Sequence, residues 1–118
     1  MTDDTFWNYI DLLDWSKEEN DAIIAPLVHR LRIAGAKDII AFEATMTDKL
    51  RLLDTFDHAS RWLDDDGEVS SVDQFLYACA AVVANGEAVF SSVLFDPALF
   101  PDDVTFEPLL EVAELAYR

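Results

Sequence analysis

Asp54 and His58 stand four residues apart inside what the apolar spacing reads as one long helix, so a carboxylate and an imidazole would lie one turn apart on its polar side. A carboxylate beside an imidazole can orient a general base, the arrangement on which nucleophilic triads rest. No nucleophile is marked near them. The single cysteine, Cys79, falls on an apolar helix face and reads as a packed thiol. A surface ion pair at i,i+4 accounts for the same two residues without any catalysis. Asp73 and Asn85 would join Asp54 and His58 around a pocket if the third helix packs on the central one.

Metal chemistry finds little support. The run Asp64-Asp65-Asp66-Gly67-Glu68 can be set in register with a calcium loop by placing Gly67 at its turn. Trp62 then occupies the first ligand position, where an acid is needed, and Asp73 closes the loop where a bidentate Glu is expected. A solvated turn between two helices explains the run as well. His29, His58 and Cys79 lack ligand spacing, so no zinc or iron site and no cofactor is expected. There is no glycine-rich phosphate loop, no GxSxG and no HExxH.

Charge is the unusual bulk property. The chain has 24 acidic and 8 basic residues, for a formal net charge of −16. From Trp62 to Tyr117 there is no Lys or Arg. Such a surface repels nucleic acid phosphates and anionic membranes and attracts a basic partner; it also serves solubility, which is the plainer reading. Asp102, Asp103, Glu107 and Glu111 are the carboxylates singled out for a partner. Arg30, Arg32, Lys37, Lys49 and Arg51, with His29, either form a small basic patch or pair with Glu43, Asp48 and Asp54. Trp7, Trp15 and Trp62 fall near element ends, where they would close the rim of a core.

The elements that must position these residues are helices. Thr2-Asp3-Asp4 opens the first, which is expected to run to Leu13 or Asp14. Ser16-Lys17-Glu18-Glu19 reads as a capping box for the second. Its stripe is Ile23, Ile24, Leu27, Val28 and Leu31; Pro26 falls inside it, so a kink or break is expected near Ala22 to Ala25, and the end at Gly35. Ile39, Phe42, Met46, Leu50, Leu53 and Phe56 predict one long third helix from Lys37 or Asp38 to Trp62. Ser71-Val72-Asp73-Gln74 is a second capping box, opening a helix over 72–84 that is apolar on nearly every side. Asn85-Gly86 ends it, and another helix begins at Glu87. Asp96-Pro97 opens a single turn, and Thr105 is expected to cap a last helix that packs Phe106, Leu109, Leu110, Ala113 and Tyr117 inward.

With 52% hydrophobic residues, three Gly and four Pro, the expectation is an all-α, compact, single-domain bundle over 1–118, with five to seven helices around a buried central helix at 72–84. The start MTDDTFWNYI carries no secretory signal and no apolar run is long enough to span a bilayer, so a cytoplasmic protein is expected.

The segments TFWNYIDLLDW, IIAFEATMTDKLRLLDT, SVDQFLYACAAVVANG and FEPLLEVAELAY together resemble a mostly bacterial family, domain of unknown function 4240, across nearly the whole chain. The resemblance implies a compact helical domain and brings no activity, cofactor or catalytic residue. Members of that family often carry Arg after the Tyr-Ala pair, where this chain has Cys79, so a site built on that Arg would be altered here.

Two expectations follow. The first is a non-enzymatic acidic module, an antagonist, immunity-type inhibitor or regulator, that acts on a basic protein and binds neither nucleic acid nor membrane. The alternative is a small enzyme or ligand-binding regulator with a pocket beside the central helix.

Overall fold

A computed structural model of the chain describes residues 1–62, 72–101 and 103–118. The α-helices are α1 (Asp3–Ile10), α2 (Asn20–Ala34), α3 (Ala36–Leu53), α4 (Phe56–Ala59), α5 (Val72–Ala84), α6 (Glu87–Phe95) and α7 (Val112–Tyr117). Tighter 3₁₀ turns occupy Ser60–Trp62, Pro97–Leu99 and Glu107–Glu111. No strand occurs among the described residues, and the protein is all-α. Its internal contacts fall into two units: Met1–Asp48 with Pro108–Arg118, and Lys49–Glu107.

In the first unit, Thr2 caps α1 as its chemistry requires, its side chain accepting from the Thr5 N–H at 3.2 Å, with Asp3 and Asp4 in the first turn. α1 stops at Ile10, one turn earlier than the periodicity suggests, although Leu13 beyond it is still buried. Phe6 stacks on Phe42 of α3 with centroids 5.2 Å apart, and Tyr9 meets the same ring edge-on at 5.9 Å. Each such aromatic pair contributes about 0.5–1.5 kcal/mol beyond area burial. The Tyr9 hydroxyl donates to Asp38 at 2.9 Å, so α1 is tied to α3 by both apolar and polar contacts.

The first capping box does not form. The Ser16 hydroxyl and N–H both donate to the Asp14 carboxylate, at 2.5 and 3.1 Å. A carboxylate two residues upstream competes for the same donors in a local turn. α2 therefore begins only at Asn20, with Glu19 at its cap position and no side-chain cap. Its stripe is buried as expected, but α2 runs unbroken through Pro26. Pro26 lies two turns into the helix, so its missing N–H costs one bond to the Ala22 carbonyl without ending the element. Gly35 closes α2 at φ +99°, and its carbonyl receives the Ile39 N–H to open α3. α7 packs on α2, where Arg32 donates to the Leu115 carbonyl at 2.8 Å.

In the second unit, α5 is buried on all sides from Ala78 to Ala84, the property its composition predicts. Its first turns differ: Leu76 is exposed and Tyr77 only partly covered. Gly86, at φ +101°, separates α5 from α6. Asp96 caps the turn at Pro97–Leu99 by accepting from the Ala98 N–H at 3.1 Å. That turn delivers Phe100, fully buried, to stack on Phe75 with centroids 5.3 Å apart. The Phe106 N–H donates to the Tyr77 carbonyl at 2.9 Å. Thr105 caps nothing, because a 3₁₀ segment containing Pro108 precedes α7.

Candidate functional site

The long third helix breaks, and the break removes the first candidate pair. α3 ends at Leu53; Thr55 then caps α4, accepting the His58 N–H on its hydroxyl at 3.2 Å. A side-chain cap four residues before Ala59 satisfies a helix start, so the backbone restarts instead of continuing. His58 is turned inward and is 3% exposed. Its Nε2 lies 2.9 Å from the Val93 carbonyl of α6, and its Nδ1 lies 2.6 Å from the Thr55 hydroxyl. A carbonyl can only accept, so Nε2 carries the proton and donates to Val93, while Nδ1 accepts from Thr55. Both ring nitrogens are occupied by structural partners, and neither the expected catalytic pair nor a surface ion pair with Asp54 forms. Phe56, assigned to the core stripe, is instead 77% exposed.

Asp54 lies near Cys79, not beside the other candidates. Burial, and after it the Asp54 charge, push the Cys79 thiol up to about 12. Asp73 sits six residues before Cys79 on α5, which puts it about 120° round the helix and about 9 Å nearer its start. Asp73 is exposed, and Asn85 folds back on its own helix to donate to the Ala81 carbonyl at 2.7 Å. Asp54 thus acts on Cys79, His58 is bound to Thr55 and Val93, and Asn85 is bound to Ala81. The buried thiol is the packed group its position suggested.

Asp103, Glu107 and Glu111 are all exposed, the last two on one 3₁₀ segment. Asp102, the 64–68 acid run with its calcium reading, and Ser71 of the second capping box lie outside the described residues. Among the described residues no group of His, Cys, Asp or Glu is arranged to hold a metal ion. Lys49 is buried with its Nζ 5.8 Å from the Phe90 ring centroid, and Arg32 is engaged by Leu115. Of the tryptophans, Trp7 is buried, Trp62 donates its Nε1–H to the Pro101 carbonyl at 2.9 Å, and Trp15 is 49% exposed.

A further concavity lies in the first unit, where the sequence pointed to none. Ile39, Ile40, Glu43 and Ala44 of α3 face Leu110, Ala113, Glu114, Tyr117 and Arg118 across a groove of about 820 Å³. Ile40 and Tyr117 are 66% and 70% exposed, so the last helix does not turn Tyr117 inward as expected. Glu43 is exposed as a residue, yet it lines the groove among apolar side chains, and desolvation raises its pKa above the usual carboxylate value. The Arg118 guanidinium, at the groove's edge, is held by Glu114 at 2.9 Å. The signal was present as two stripes, 39-40-43-44 and 110-113-114-117, each at helical spacing. It was masked because Glu43 reads as an ordinary member of a polar face.

These elements define an all-α protein of acidic composition that carries an apolar groove edged by carboxylates. No helix among the described residues is long and apolar enough to cross a membrane. The chain belongs to the family described as protein of unknown function (DUF4240), whose model matches residues 1–118. No curated protein and no solved structure matches it.

Proposed function

We propose that this chain is a non-enzymatic, cytoplasmic protein-binding module, an antagonist, immunity-type inhibitor or regulator, whose acidic surface engages a basic partner protein. The observation that supports this reading is the one-sided charge: a net charge of −16, with Asp103, Glu107 and Glu111 exposed in a stretch that contains no Lys or Arg from 62 to 117. Surfaces of one sign accelerate encounter with the opposite sign and lose that advantage as salt rises. They also reject phosphate-rich partners.

The test is affinity capture from the native lysate at low and high salt, run beside a variant carrying Asp103→Lys, Glu107→Lys and Glu111→Lys. A basic protein held at low salt, released at high salt and lost by the variant is the expected result. Retention that is indifferent to both salt and charge reversal overturns the reading.

A further inference from the structure

The groove between α3 and α7 supplies what an acidic surface alone lacks, a place with shape. We propose that this groove is the partner's docking site and that Glu43 receives a Lys or Arg side chain from an apolar, basic segment of that partner. The inference rests on the reading of the chain as a binder of basic proteins and names the site and its chemistry.

Three observations carry it. First, the lining pairs apolar walls with a carboxylate: Ile39, Ile40, Ala44 and Leu110 offer surface for a methylene stem, and Glu43 offers the charge for its tip. Long basic side chains pack in that manner, stem on apolar surface and head on an acceptor. Second, the charge is unclaimed. Glu43 has no cation within ion-pair reach among the described residues, and Arg118, the cation that lines the groove, is already bound to Glu114. An incoming cation would restore to the Glu43 carboxylate the stabilisation that its apolar surroundings withdraw. Third, Tyr117 and Ile40 stand exposed at the groove, an aromatic and a branched aliphatic side chain of the kind that anchors interfaces. A second copy of this chain is a poor occupant, since two bodies of net charge −16 repel.

The full chain, labelled with ¹⁵N, is titrated at low salt with a short amphipathic peptide of leucine and lysine, and with the same peptide carrying glutamine for lysine. Amide shifts centred on Ile40, Glu43, Ala44 and Ala113 with the lysine peptide, and weaker ones with the glutamine peptide, are expected. Glu43→Gln should weaken the lysine peptide about 3- to 5-fold, the range of a single solvent-accessible ion pair. Ala44→Trp, a change at an exposed position, should occlude the groove and weaken both peptides. Glu18→Gln removes one exposed charge that does not line the groove and should change affinity less than about twofold. Shifts confined to the surroundings of Asp103 and Glu107 overturn the groove and leave the acidic-surface reading standing. Equal binding of the lysine peptide to the protein and to Glu43→Gln overturns the role of Glu43. Absence of shifts at every position overturns both readings.

Discussion

His58 of α4 donates its Nε2–H to the main-chain carbonyl of Val93, 35 residues further on, at 2.9 Å. The bond ties α4 to α6 within the second unit, and the Thr55 hydroxyl fixes the ring from its other nitrogen. Replacing His58 by Ala leaves the Val93 carbonyl without its partner and opens a cavity beside Phe100, whose ring lies 6.0 Å from the imidazole. The expected cost is about 2–4 kcal/mol, read as a fall in the urea midpoint at constant slope. A near-neutral result would show that the second unit does not depend on this contact.

Gly86 and Gly35 sit at φ +101° and +99° with ψ near 175°, a region open in practice to glycine alone. Nothing stands within 4 Å of a Cβ built at either position, so the penalty for Ala is backbone strain and not a clash. Gly86→Ala and Gly35→Ala should each lower stability by about 1–3 kcal/mol. Thermal melts with helical content followed by circular dichroism would check this, and an unchanged midpoint would contradict the junction geometry.

The Cys79 thiol, raised from 9.0 to about 12 chiefly by burial, should resist alkylation at pH 8 until the protein opens. Its labelling rate in native buffer should therefore track unfolding and rise steeply with urea. The linkage sign follows from the raised value. The unfolded thiol ionises near 9 and the folded one near 12, so the stabilisation is complete below pH 9 and is lost as pH climbs toward 12. Cys79→Ser should flatten that alkaline decline while lowering stability at neutral pH, since a buried hydroxyl replaces the thiol.

Glu43 has a raised carboxyl pKa caused by desolvation, which makes its ionised form a burden on the free protein at neutral pH. A raised folded pKa contributes stability that is present below the unfolded value and lost as pH rises through the folded one. Glu43→Gln should therefore match the parent in acid and melt at a higher temperature near pH 7. Parallel melts at the two pH values decide it; equal shifts at both would mean that the apolar walls do not desolvate this carboxyl.

The sequence alone determined the helices whose starts, ends and buried stripes are set by near neighbours. Thr2 with Asp3 and Asp4, the Gly35 stop, the Asn85-Gly86 junction, the Asp96-Pro97 turn and the largely apolar 72–84 segment are local chemistry, and each appears where the residues place it. It also identified Phe6, Leu27, Phe42 and Leu109 as core, because helical spacing reports which face is apolar. The tertiary structure decided the rest. Ser16 had two local uses, and the carboxylate of Asp14 took it in a turn that the Asp14 N–H ties to the Ile23 carbonyl of α2 at 3.0 Å. The stripe that pointed Phe56 inward required α3 to continue; the Thr55 cap and the pull of the Val93 carbonyl on His58 ended it, and Phe56 faces water. Tyr117 lies on an apolar stripe, but nothing in its own segment could reveal that the facing stripe of α3 would leave a groove instead of a filled contact. Periodicity says which side chains seek cover; only the segments that arrive from far along the chain settle which of them receive it.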